Sequence, residues 1–206
     1  GSHNLLVGLR VGASSYGGMA VGLSNRVSAP YATVSGGASN HSSGLAASIS
    51  GGNAGLASGD AASITGGQVN VASATRSTVL GGSFNQAQSQ EGVVVGGSGN
   101  LVGNPGPGSF ASQAVVVGGY NNQSRAQGSI IVGGRFNQTT ANYSAVLAGA
   151  SNFCNGDSGG GGSYCAIVGG EGNSTSNVTA ATVGGGANRS ASGNHDWVAG
   201  SLFQDN

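Results

Sequence analysis

The chain has 206 residues, of which 43 are glycine, and its six arginines, with no lysine, balance six acidic residues to a net charge of zero. Nucleic acids and anionic membranes are bound through an excess of positive charge, so neither is an expected partner. No apolar run approaches the roughly 18 residues that cross a bilayer, so this segment is expected to make no membrane contact of its own.

Residues 1–3, Gly1-Ser2-His3, look like the remnant of an expression tag. From residue 4 to 200 a single unit repeats. Anchored on the second glycine of each pair, it recurs at Gly22, Gly37, Gly52, Gly67, Gly82, Gly97, Gly119, Gly134, Gly149, Gly170, Gly185 and Gly200. The spacing is fifteen residues apart from two longer intervals. A short fixed period of this kind is the signature of a solenoid. Glycine-rich composition alone fits low complexity, but apolar ranks held in strict period argue for order.

The ranks define the unit. Three residues before the anchor stand Val34, Ile49, Ile64, Val79, Val94, Val116, Ile131, Val146 and Ile167. Five before it are small residues such as Ala32, Ala47, Ala62, Ala114 and Ala180. Three after it stand Asn25, Asn40, Asn70, Asn85, Asn100, Asn122, Asn137, Asn152, Asn173 and Asn188. Fifteen residues suffice for two short strands and two turns. The β-branched rank favours strand, and the glycines and asparagines favour turns because they tolerate positive φ. The expected fold is an all-β parallel β-roll, or solenoid, of about twelve coils. Identical residues would stack about 4.8 Å apart, giving a core about 55–60 Å long. The asparagine rank would form a turn ladder, each amide donating to the next.

The residue between the valine rank and the glycines faces the other way. It changes from Ser35, Ser50 and Thr65 to Leu80, Val95, Val117, Val132, Leu147, Val168, Val183 and Val198. Eight coils would then be apolar on both faces of one strand. A single roll needs one apolar face, so the second stripe predicts an oligomer core in which several rolls pack the same stripe about a common axis.

Two insertions interrupt the period at the same corner, near 103–113 and 155–164, three coils apart. The first carries Asn104, Pro105, Pro107 and Phe110; the second carries Asp157. Loops on one side of a repeat array are common binding sites, although they also grow at surface corners without function. With the edge residues Tyr120, Arg135 and Phe136, they are the candidate ligand-binding residues. The two cysteines, Cys154 and Cys165, end the second insertion in small-residue positions. A disulfide closing the loop is one reading and implies an oxidising compartment; two small buried thiols is the other. A metal pair lacks partners at suitable spacing.

The last unit departs from the rest. Trp197 stands in the valine position and Phe203 in the asparagine position, and residues 201–206 read as a cap or a junction to a stalk. His195-Asp196 is the only adjacent acid–base pair, and no nucleophile motif surrounds it. Asp60 and Asp157 are isolated, unlike the regular aspartates of calcium-binding rolls. Nothing points to a cofactor or an enzyme. Seven Asn-x-Ser/Thr sequences follow from the asparagine rank rather than marking glycosylation. A hydroxyl grid at Thr33/Ser35, Ser48/Ser50 and Ser63/Thr65 is too short for ice binding.

The segments ASISGGNAGLASGDAASITGGQVNVASA and VVVGGYNNQSRAQGSIIVGGRFNQTTANYSAVLAGASN resemble the head repeats of bacterial trimeric autotransporter adhesins, and GMAVGLSN resembles a related head motif. The resemblance covers about residues 7–200. It implies a left-handed β-roll homotrimer on the outer surface of the bacterium, carried by an outer-membrane-anchored parent at the tip of a stalk. It also implies attachment to host extracellular-matrix proteins, glycans or abiotic surfaces. Similar repeats occur in phage tail fibres, so a receptor-binding fibre segment and a purely structural spacer are the alternative functions.

Overall fold

The structure, a computed structural model, describes residues 3–103, 111–156 and 163–199. They form a parallel β-solenoid of about twelve coils. One sheet has thirteen strands, from Leu5–Leu9 to Asp196–Val198, and the other twelve, from Gly12–Ala13 to Ser190–Ala191. Within each sheet every strand pairs in parallel with the equivalent strand of the next coil. Most strands are two residues long, as in Thr78–Val79 and Gln86–Ala87, because two turns take up the rest of the unit. The N–H groups of one coil donate to carbonyls of the next, Thr78 to Gly92 and Leu80 to Val94, both at 2.9 Å. A third line of single bridges, from Leu23 through Ser83 and Tyr120 to Ala187, runs beside the glycine corner.

The core is one side chain thick. Val34, Ile49, Val79, Val94, Val116, Ile131, Val146 and Ile167 of the larger sheet are all fully buried. Val27, Ala57, Ala72, Ala87 and Val102 meet them from the smaller sheet. Where the facing position is a hydroxyl, it is paired inside: Ser124 Oγ lies 2.7 Å from Ser129 Oγ, and Thr139 Oγ1 donates to the latter at 3.0 Å.

The corners correct the sequence reading of the turns. Positive φ falls on the anchor glycines but, Asn188 aside, not on the ranked asparagines. It falls on the residue before each of the other nine, including Val69 at 53° and Phe84 at 57°. The asparagine side chains do different work. Each Oδ1 accepts the backbone N–H of its counterpart in the next coil, Asn85 from Asn100 and Asn122 from Asn137, both at 3.0 Å. Most Nδ2 groups donate to two glycine carbonyls, as Asn85 does to Gly81 at 2.9 Å and Gly97 at 3.0 Å; at Asn152 the Ala148 carbonyl takes one of these places. The expected amide-to-amide donation occurs at Asn152, to Asn137 Oδ1 at 3.1 Å; elsewhere the ladder runs through the backbone. The anchor glycine is required twice over. Gly82 has φ of 79°, and a Cβ there would collide with the Gly97 carbonyl one coil on.

The register also departs from the fifteen-residue comb at both ends. The first strand pairs Gly8 with Gly22, so a fourteen-residue coil precedes the first predicted anchor. Near the other end Ile167 pairs with Val183, and Gly170 is followed by Gly186 rather than Gly185. One residue has been added between Thr175 and Ala181, the same turn that hosts both insertions. Ala181, not Ala180, therefore takes the small inner position. Val183 and Val198 belong to the inner rank: Val183 is fully buried, and Val198 packs against the core. Asn188 leaves the ladder for the exposed corner at φ 53°, and Arg189 N–H donates to Asn173 Oδ1 in its place. Trp197, paired with Thr182, points outward rather than replacing the valine.

Candidate interaction surfaces

The outer face of the larger sheet carries two parallel rows of side chains. In the row nearer the glycines, Leu80, Val95, Val117, Val132, Leu147 and Val168 are each between 40% and 48% exposed. Gly184 follows them, so six coils rather than eight carry the stripe. The second row, two residues earlier on each strand, adds the half-buried Val93, Val115, Ile130, Ala145 and Ala166. Sequence reasoning overlooked this row, although it stands directly before the valine rank. Towards the first coils the same face turns to hydroxyls, where Ser48 Oγ donates to Ser63 Oγ at 3.4 Å.

A second surface is a ridge beside the glycine corner. Tyr120 bridges Arg135 in the next coil, and Phe136 N–H donates to the Tyr120 carbonyl at 2.9 Å. The Tyr120 and Phe136 rings meet edge to face at 5.4 Å, and each residue is about half exposed. The positive φ of Phe136, 55°, turns its ring away from the core. The structure thus brings together three of the predicted ligand-binding residues. The other five, Asn104, Pro105, Pro107, Phe110 and Asp157, lie outside the described residues. The flanks of both insertions, Val102 with Ala114 and Cys154 with Cys165, sit at the other edge of the flattened coil from the ridge.

Cys154 and Cys165 form a disulfide, with Cα atoms 6.0 Å apart. It crosses the core between the two sheets in the inner small-residue positions, almost fully buried. At this edge Tyr143 stacks on Tyr164 at 5.9 Å, and further up Arg76 pairs with Glu91 at 2.7 Å.

Titratable chemistry is sparse. His41 Nε2 lies 2.8 Å from Ser28 Oγ on the smaller sheet, and burial, then the Arg26 guanidinium, hold its pKa below the usual 6.5. No carboxylate completes a triad with this pair in the bonds observed. Among the described residues no three His, Cys, Asp or Glu side chains cluster to hold a metal ion. No protein-family model matches the chain, and no curated protein matches it.

Proposed function

We propose that the chain is the non-enzymatic head of a bacterial surface adhesin. In this reading three left-handed rolls associate as a homotrimer and attach the cell to host matrix proteins, glycans or abiotic surfaces. The observation that carries the proposal is the apolar outer face of the larger sheet. A face six coils long, and two apolar residues wide over five of them, is costly to leave in water, and its straight, repetitive form suits packing against copies of itself. Leu80, Val95, Val117, Val132, Leu147 and Val168 would be its central contacts. The buried disulfide supports a location outside the reducing cytoplasm. The resemblance to trimeric autotransporter heads supports the surface role.

The test is binding of the native protein to immobilised extracellular-matrix proteins and glycans against an albumin control, alongside the ridge variant Tyr120→Ser/Phe136→Ser. Specific binding to at least one surface, weakened at least tenfold in the ridge variant, is the expected result. Binding no stronger than to albumin on every surface would count against the adhesin reading.

A further inference from the structure

At the last coils the edge carrying the insertions contains a notch of about 320 Å³, lined by Tyr164, Ala166, Ala180, Thr182, His195 and Trp197, with Asp196 beside them. Its shape follows from register. Tyr164 pairs with Ala180, and the next position down the same corner is His195, whose N–H donates to the Ala180 carbonyl. A large side chain, a methyl group and another large side chain thus succeed one another on adjacent rungs. One row inwards, Ala166, Thr182 and Trp197 succeed one another on the same rungs, and there Trp197 alone is large. Alanines form the floor; Tyr164 and the pair His195 and Trp197 form the walls. Tyr164 already stacks one face on Tyr143 and bounds the notch beyond it, while Trp197 is 71% exposed.

We infer that this notch binds the ring of a neutral saccharide. The walls stand two rungs apart, about 9–10 Å. A flat ring held between two side chains in van der Waals contact needs about 7–8 Å, so the gap has room for a puckered ring. Aromatic walls suit the C–H faces of a pyranose, and its hydroxyls need donors and acceptors at the rim. Thr182 supplies a hydroxyl and His195 an imidazole. The rim is already ordered: one carboxylate oxygen of Asp196 accepts the Gly193 N–H at 2.6 Å, and Asn194 Oδ1 accepts the Thr179 N–H at 2.9 Å. No arginine lines the notch, which disfavours an anionic ligand. The notch begins on the coil of Val168, shares Ala166 with the last rung of the apolar face, and extends past the end of that face onto the coils of Gly184 and Trp197. This inference gives a place to the glycan arm of the proposed function and rests on that reading.

Trp197 is the only tryptophan, so its fluorescence reports on the notch alone. The experiment titrates the native protein with the methyl glycosides of glucose, galactose, mannose and N-acetylglucosamine, and with N-acetyltyrosinamide. A saturable emission change with at least one glycoside is expected, with a dissociation constant on the order of 1 mM for so shallow a site. Ala180→Tyr, which fills the floor, should weaken that response at least tenfold. Thr182→Val, which removes one hydroxyl and keeps the shape, should weaken it severalfold; circular dichroism checks that both variants are folded. The inference is overturned if no glycoside gives a saturable change, or if both folded variants titrate like the native protein. It is also overturned if N-acetyltyrosinamide alone responds, which would make the notch a site for aromatic peptide side chains. Glycosides that fail here while surface attachment persists would sink the notch and leave the adhesin reading standing.

Discussion

The asparagine ladder holds successive coils together at a corner where the backbone has few partners of its own. Asn122 shows the arrangement: it accepts from Asn137 N–H and donates to the Gly118 and Gly134 carbonyls, at 3.0–3.1 Å, while fully buried. Asn122→Ala would strand a buried N–H and remove two donations, so it should cost about 2–4 kcal/mol in denaturant unfolding. A change below about 0.5 kcal/mol would show that the ladder follows the fold rather than stabilising it. His41 gives a pH-dependent counterpart. Burial and Arg26 lower its folded pKa, so the unfolded chain takes up the proton first as pH falls through 6.5. The contribution of neutral His41 is present above that pH and is lost below it. His41→Gln should flatten this part of the stability profile; an unchanged slope would place the dependence elsewhere.

At the scale of strand and turn, much was legible because a repeat states each requirement many times. The valine rank, the small-residue rank and the anchor glycines occupy the positions that their chemistry implied. What escaped was local. Gly184-Gly185-Gly186 offers two anchors, and the sequence alone favours the one that keeps the interval at fifteen and Asn188 in rank. The structure takes the other, because it buries Val183 and Ala181 and places Gly184 on the outer face. The left-handed corner residues escaped for a different reason. Val69 and Phe84 are poor choices for positive φ, and stacking between coils overrides that preference. Of the candidate ligand residues, adjacency of Tyr120, Arg135 and Phe136 was readable from the period, whereas the aromatic notch depends on the shifted register. The disulfide joins the two sheets within one coil across the 11-residue separation of its cysteines. Replacing both with serine should lower stability by about 2–4 kcal/mol and leave the fold intact by circular dichroism. An unchanged melting temperature would mean that strand pairing alone fixes this coil.

For the whole molecule the question is where its second apolar surface goes. The side chains inside the roll are small, so a single chain buries little apolar area per residue, and stacked strands must share the work of stability. The outer face of the larger sheet is built from the same residue types as the core, yet it lies 40–48% exposed along its central row. Association through that face would supply the burial that a single roll lacks. The smaller sheet, by comparison, mixes Leu56, Val71, Leu101 and Phe153 in its outward row with Arg26, His41, Gln86, Gln123, Gln138 and Ser174. Light scattering coupled to size exclusion tests this claim most directly. The account predicts a single species of about 58 kDa, three times the 19.5 kDa chain, and its dissociation by Val117→Asp/Val132→Asp. A monodisperse 19.5 kDa monomer for the native protein would contradict it.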